Sequence, residues 1–243
     1  METAFRHPAL SLRDTQSDKG LGVFATQSIN PHTLLILERS YSAPNKLIYM
    51  NGANKDVPLI AKLHPRQPFS LTDDAQDHIN FVMKKLSNNV IQGPPGTAIL
   101  ARNFNFINHG CNPNAVWANF DVADDVIYVC VHTTRMIKEG EEITIQYGPL
   151  IGHEEWQNKF VCHCGISKKK REDEFESKRE YWMKYLFANV FDRAWAHYQS
   201  SKGRKPLNFI RMDDYARIWN KTLEKEGFLD DYTVYDVEGF EKL

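Results

Sequence analysis

Apolar residues along this chain form two β-patterned stretches, separated by a proline-rich region and followed by a helical one. Gly22 to Ala25 and Thr33 to Leu37 are short apolar, β-rich runs around the turn signal Asn30-Pro31, predicting two strands between residues 20 and 40. Pro44, Gly52, Pro58, Pro65 and Pro68 then exclude long elements over residues 41 to 68. Leu71-Thr72-Asp73-Asp74 has the form of a helix start, with Thr72 as N-cap and Ile79, Val82, Met83 and Leu86 at helical spacing. Gly93-Pro94-Pro95-Gly96 breaks the chain. From Ala115 to Gln146 the β pattern returns. Val126 to Val131 reads as a buried strand, Lys138-Glu139-Gly140 as a turn, and Glu142 to Tyr147 alternates. Beyond Gly165 a charge run, Lys168 to Glu174, leads into aromatics at helical spacing from Tyr181 to Tyr198. After the breaker Gly203 to Pro206, Met212 to Glu226 predicts an amphipathic helix ended by Gly227. These elements describe a β-rich α+β fold with a helical C-terminal segment and no internal repeat.

Composition narrows the partners more than the fold. The 243 residues are 42% hydrophobic and 25% charged, ordinary for a globular protein with one core and a small appendage. A formal net charge of −1 supplies no global field for nucleic acid or an acidic membrane, so neither is an expected partner. Met1 to Leu12 lacks the apolar run of a signal peptide, and no stretch approaches the roughly 20 apolar residues of a membrane span. The expected location is therefore intracellular, nuclear or cytoplasmic. The four cysteines, Cys111, Cys130, Cys162 and Cys164, suit a reduced compartment better than a disulfide framework.

Four motifs carry the chemistry. In order they are Asp18-Lys19-Gly20-Leu21-Gly22-Val23-Phe24-Ala25, Asn105-Phe106-Ile107-Asn108-His109-Gly110-Cys111-Asn112-Pro113-Asn114, Gly140-Glu141-Glu142-Ile143-Thr144-Ile145-Gln146-Tyr147-Gly148 and Phe160-Val161-Cys162-His163-Cys164-Gly165. Together, over residues 18 to 165, they resemble the SET-domain methyltransferases, which move a methyl group from S-adenosylmethionine to a lysine amine. The resemblance implies a SET fold of small twisted β-sheets in which the Asn-His segment is threaded through a pseudoknot-like loop closed by the Gly140–Gly148 region. It divides the chain into a SET domain over 1–165, with a variable insert over about 41–100 and a post-SET-like tail at 160–165, and a helical extension over 166–243. The insert holds no cysteine cluster, unlike the zinc-finger insert of some relatives.

The same resemblance implies the site. An isolated Gly-x-Gly reads as a hairpin turn; beside the other motifs, Lys19, Gly20, Leu21 and Gly22 become cofactor-site residues. Asn108 and His109 would contact the cofactor, or tie two loops together as a buried polar pair; the two roles are compatible. Phe160 would lie against the adenine. Tyr147 is the expected catalytic residue, also at the cofactor. A free lysine amine has a pKa of about 10.4, so it must be desolvated to expose a lone pair, and a tyrosine hydroxyl can then orient that lone pair toward the methyl group. Ile145 stands where many relatives carry Phe or Tyr, which tilts the expectation toward more than one methylation. The aromatics of 181–198 are expected to pack a helix on the core, and Trp117 to be core rather than cage.

Three features depart from the family pattern. Cys111, Cys162 and Cys164 resemble part of a four-cysteine post-SET zinc site, but the expected fourth position is Lys169. Bound zinc and a metal-free tail held by packing both remain open readings. Relatives usually carry Arg-Phe-Ile-Asn-His-Ser-Cys, where this chain has Asn105 and Gly110; the missing serine hydroxyl removes one hydrogen bond of roughly 0.5–1.5 kcal/mol. The leading expectation is an S-adenosylmethionine-dependent methyltransferase acting on a protein lysine. The alternatives are a SET-fold enzyme acting on a small molecule and a non-catalytic cofactor- or protein-binding SET module.

Overall fold

The structure is a computed structural model, and it describes residues 2–17, 19–44, 57–63, 81–82, 86, 89–92, 97–123, 126–147, 190–201 and 212–225. In chain order the strands and helices are β1 (Glu2–Arg6), β2 (Leu10–Asp14), β3 (Leu21–Ala25), β4 (Leu34–Arg39), β5 (Tyr41–Pro44), α1 (Val57–Lys62), β6 (Ile91–Gln92), β7 (Thr97–Leu100), β8 (Asn108–His109), β9 (Ala115–Ala123), β10 (Val126–Thr133), β11 (Thr144–Ile145) and α2 (Met212–Lys225). Residues 190–201 are also helical. The strands form four small sheets, ordered β1-β4-β10-β9, β2-β3, β5-β7-β6 and β11-β8.

The four-stranded sheet is antiparallel throughout and carries the fold. All eight residues of β10 are buried, which explains its unbroken apolar run. Its alternate residues face two different cores. Ile127, Val129 and Val131 join the main core, while Val126, Tyr128 and Cys130 join a second one. The helical run 190–201 covers that second core with Val190 and Ala194. Burial pushes the Cys130 thiol up to about 12, so this sulfur is a packing atom rather than a reactive one. On the other side, Leu223 of α2 shares the main core with Ile60, Ala61 and Leu63 at α1. The segments after residue 166 that the structure describes thus complete cores built by the strands.

The elements expected over 20–40, 115–133 and 212–226 are present as β3, β4, β9, β10 and α2. Gly140, at φ +78°, makes the turn at Lys138-Glu139-Gly140. Phe81, Val82, Leu86 and Asn89 are helical, as the spacing predicted; the proposed start at Thr72 and the break at 93–96 lie outside the described residues. Strands β1 and β2 were not legible in advance. β1, at the sheet edge, has the mixed sequence Glu-Thr-Ala-Phe-Arg, with no apolar run to betray it. In the other direction, the alternating stretch 142–147 yields only the two-residue β11, because Glu142 pairs instead with Phe24 in an isolated bridge. The aromatic stripe meets expectation in part, since Tyr198 packs against the second core. Residues 181–187 lie outside the described residues, and the inward face of 190–201 is Val190, Ala194 and Ser201. Phe191 and Trp195 remain exposed, with Phe191 leaning on Phe120 at 6.2 Å.

Candidate active site

Segment 137–146 is the hub. On one side it bonds to the β3 region: Ile143 N donates to Val23 O (2.7 Å), Ala25 N to Glu141 O (3.0 Å), and Ile29 and Ile137 form a bridge. On the other side β11 runs parallel to β8, with Thr144 opposite Asn108 and Ile145 opposite His109. The Gly-x-Gly segment, the Asn-His pair and the approach to Tyr147 are therefore gathered around one short strand, although they come from three distant parts of the chain.

Asn114 holds this arrangement. It is 1% exposed, and its side chain donates to Glu141 Oε1 (3.0 Å) and Glu142 O (2.8 Å) while accepting from Thr144 N (2.8 Å). One amide thus satisfies three polar groups of the hub, which a buried position requires. Glu141 is also gripped by Arg135 at 2.6 Å, and this guanidinium, with Lys138 N and Asn114, holds its carboxyl down at about 2.

Asn108 serves the hub as well. Its Nδ2 donates to Leu21 O (3.0 Å) and to Glu142 Oε1 (2.7 Å), and the other Glu142 oxygen lies 3.8 Å from Lys19 Nζ. A Cβ on Gly22 would stand 2.7 Å from Glu142 Oε1 and 3.0 Å from Asn108 Nδ2, so glycine is needed there for this pair to close. Gly20 has φ +74° and its carbonyl accepts from both Thr15 N (2.8 Å) and Thr15 Oγ1 (2.7 Å), a tight turn between β2 and β3. The hairpin-turn reading of Gly20 is correct as local structure, and the turn is what delivers Lys19 to Glu142.

His109 is 6% exposed, and both ring nitrogens are engaged. Tyr147 N donates to Nδ1 (3.4 Å), which leaves Nε2 as the donor toward Cys111 Sγ at 2.9 Å and fixes the neutral tautomer. Tyr147 packs edge-on to this ring at 5.5 Å and donates its hydroxyl to Ile107 O at 2.9 Å. Although 36% of Tyr147 is exposed, its phenol is turned inward. Desolvation, reinforced by the Glu142 charge, pushes the phenol well above its ordinary range, so it stays protonated at neutral pH.

One supporting residue, Glu38, was not singled out from sequence. Glu38, fully buried in β4, accepts from Asn103 N (3.0 and 2.9 Å), Phe104 N (3.1 Å), Thr3 Oγ1 (3.1 Å) and Asn103 Nδ2. It anchors the 3-10 turn Phe104–Phe106 that leads into β8. The signal was a carboxylate directly after the apolar run Leu34–Leu37, still within the strand. Trp117 is core, as expected, packing on Phe104 at 5.1 Å; its indole also donates to Gln146 O (3.0 Å), tethering the residue before Tyr147. Asn105, in place of the usual arginine, accepts from Ala101 N (2.6 Å) and donates to Asn89 O. It knits the insert to the site without charge. A Cβ on Gly110 would meet Thr144 Oγ1 at 2.6 Å, so the missing serine reflects space as well as a lost hydrogen bond.

Phe160, Cys162 and Cys164 lie outside the described residues. Cys111 is half-buried against the His109 ring, and among the described residues no group of three His, Cys, Asp or Glu side chains is placed to share a metal. No helix among the described residues is long and apolar enough to cross a membrane.

This small-sheet architecture, with a parallel β8–β11 pair at its centre, places the molecule among the SET folds. The family model for the SET domain matches residues 20–148, and the chain belongs to that family. A SET domain-containing protein of Acanthamoeba polyphaga mimivirus is 30% identical over 63% of this chain and 48% of its own length. The histone-lysine N-methyltransferase trr of Drosophila melanogaster is 27% identical over 60% of this chain but only 5% of its own. The chain thus spans at most about half the length of these relatives. A Plasmodium falciparum structure assigned as a histone methyltransferase aligns over 62% of this chain and 98% of that one, at 16% identity and a TM-score of 0.38.

Proposed function

We propose that this protein transfers methyl groups from S-adenosylmethionine to the ε-amine of a protein lysine, with Tyr147 as the catalytic residue. The observation that carries this reading is the inward-turned phenol of Tyr147, fixed to Ile107 O beside His109. Because its proton is committed to that carbonyl, the hydroxyl oxygen can only accept. It can therefore hold an N–H of a neutral amine and aim the nitrogen lone pair. The raised phenol pKa makes Tyr147 a poor general base, so the amine must shed its proton to water before it enters.

The residues fit a sulfonium cofactor. Glu142, Ile107 O and the Tyr147 and His109 rings give the neighbourhood an electronegative lining that favours a cation. Lys19, Gly20, Leu21, Gly22, Asn108 and His109 would hold the cofactor, with Phe160 as the adenine contact. When bound, S-adenosylmethionine supplies an electrophilic methyl group. Tyr147 would hold the neutral amine with its lone pair facing that methyl group, and the proton of the methylated ammonium would pass to solvent. The buried aliphatic Ile145 adds no hydroxyl that would restrain a methylated amine, which favours more than one addition. Cys111, Cys162 and Cys164 would supply three of the four ligands of a closed zinc site, and a metal-free tail held by packing is the second reading.

Tyr147→Phe tests the proposal. Turnover on lysine substrates should fall by roughly 100-fold or more, while calorimetric affinity for S-adenosylmethionine changes by less than about threefold. Activity left intact by Tyr147→Phe would remove Tyr147 from the mechanism. A folded protein that binds no S-adenosylmethionine would favour the binding-module reading.

A further inference from the structure

A concave site lies away from the hub, at the edge where β1, β4 and β10 meet the helical run 190–201. It is a cavity of about 320 Å³ lined by Phe5, His7, His32, Thr33, Leu34, His132 and Arg193. Three imidazoles and a guanidinium thus converge, and the lining holds no carboxylate. His132 is 2% exposed, and its Nδ1 is the one buried side-chain nitrogen or oxygen among the described residues without a hydrogen-bond partner. The register of β10 against β4 shifts between Val131 and His132, a bulge of the kind that re-aims a side chain. His32 stands at φ +60° at the rim, and Arg193 reaches across from the helix over the Phe5 ring at 6.0 Å.

We propose that this cavity binds a doubly charged tetrahedral oxyanion of the phosphate class. An unpaired buried imidazole nitrogen costs free energy unless something answers it, and like charges facing one another do too. A dianion answers both, accepting from the imidazoles while neutralising Arg193. Repulsion by Arg193 and His32 adds to desolvation in holding His132 down at about 4, and a bound dianion reverses that repulsion. A metal ion is disfavoured by the Arg193 charge. The ionisable groups facing the cavity are His7 from the turn after β1, His32 from the turn before β4, His132 from β10 and Arg193 from the helix.

Sulfate is the probe, because it remains dianionic from pH 5 to 8 and any pH dependence then belongs to the protein. Histidine ring signals are followed by NMR on the full chain, with chloride holding ionic strength constant. Saturable shifts of His132 and His32 are expected, with affinity rising about twofold from about pH 7 to about pH 5 as His132 begins to take up its proton. The His132 pKa should rise by about one unit or more when sulfate is bound. Arg193→Ala and His32→Asn, both at exposed positions, should each weaken binding by roughly fivefold with unchanged melting. Displacement of sulfate by O-phosphoserine at lower concentration would assign the site to phosphorylated side chains, and failure to displace it to the free ion. Rings that ignore sulfate, or an affinity left unchanged in Arg193→Ala, would overturn the proposal.

Discussion

Gly110 shows how a single departure from a family pattern can be a steric matter. The serine of relatives would put its Cβ within 2.6 Å of Thr144 Oγ1 and 2.8 Å of Thr144 Cβ, in a strand pair held by Gly110 N to Ile145 O. Gly110→Ser should therefore destabilise the protein by about 1–3 kcal/mol rather than restore a bond. Chemical denaturation of Gly110→Ser, Thr144→Ala and the double variant should give a favourable coupling, since shortening Thr144 relieves part of the overlap. Strict additivity would show that the two side chains do not compete. The sequence revealed which residue types gather here, because Asn108, His109 and Tyr147 stand in spaced motifs. It did not reveal that both nitrogens of His109 are spent on Cys111 and Tyr147 N, since that depends on a register between β8 and β11 that neither short strand encodes by itself.

At the scale of elements, the turn Phe104–Phe106 depends on one buried carboxylate. Glu38 faces only donors, from Asn103, Phe104 and Thr3. Glu38→Gln would turn an NH2 group toward them and leave buried donors unmatched, at a cost of about 2–3 kcal/mol in thermal or denaturant unfolding. Because the turn sets the entry to β8, the proposed affinity for S-adenosylmethionine should fall as well. A variant as stable as the parent would mean that the turn is held by Phe104 and Phe106 packing alone. Long runs such as β10 were legible because both faces meet apolar cores. Edge strands such as β1 were not, because half of their contacts are with water and their sequence shows it.

For the whole molecule, acid stability should fall in two windows. His132 titrates near 6.5 when unfolded and near 4 when folded, so the unfolded chain binds the extra proton between these values. Stability is then fully present above about pH 6.5 and declines toward pH 4, by on the order of 2–3 kcal/mol. Glu141, with an ordinary value of 4.5 and a folded value near 2, contributes stability above 4.5 that is lost as pH falls toward 2. Denaturation midpoints measured from pH 8 to 3 should show the first loss, and His132→Asn should flatten the slope above pH 4. An unchanged slope would place the titration elsewhere.

The parallel pair β8–β11 also sets a limit on synthesis. Its partners sit 36 residues apart, and the Gly-x-Gly turn joins them from more than a hundred residues upstream of Tyr147. A nascent chain emerging from the ribosome can complete the β2–β3 hairpin early, yet no chain that stops short of Tyr147 can assemble the site around it. Until then β3 and β4 expose the apolar residues that the later strands will cover, and the longer that state lasts the more it invites aggregation.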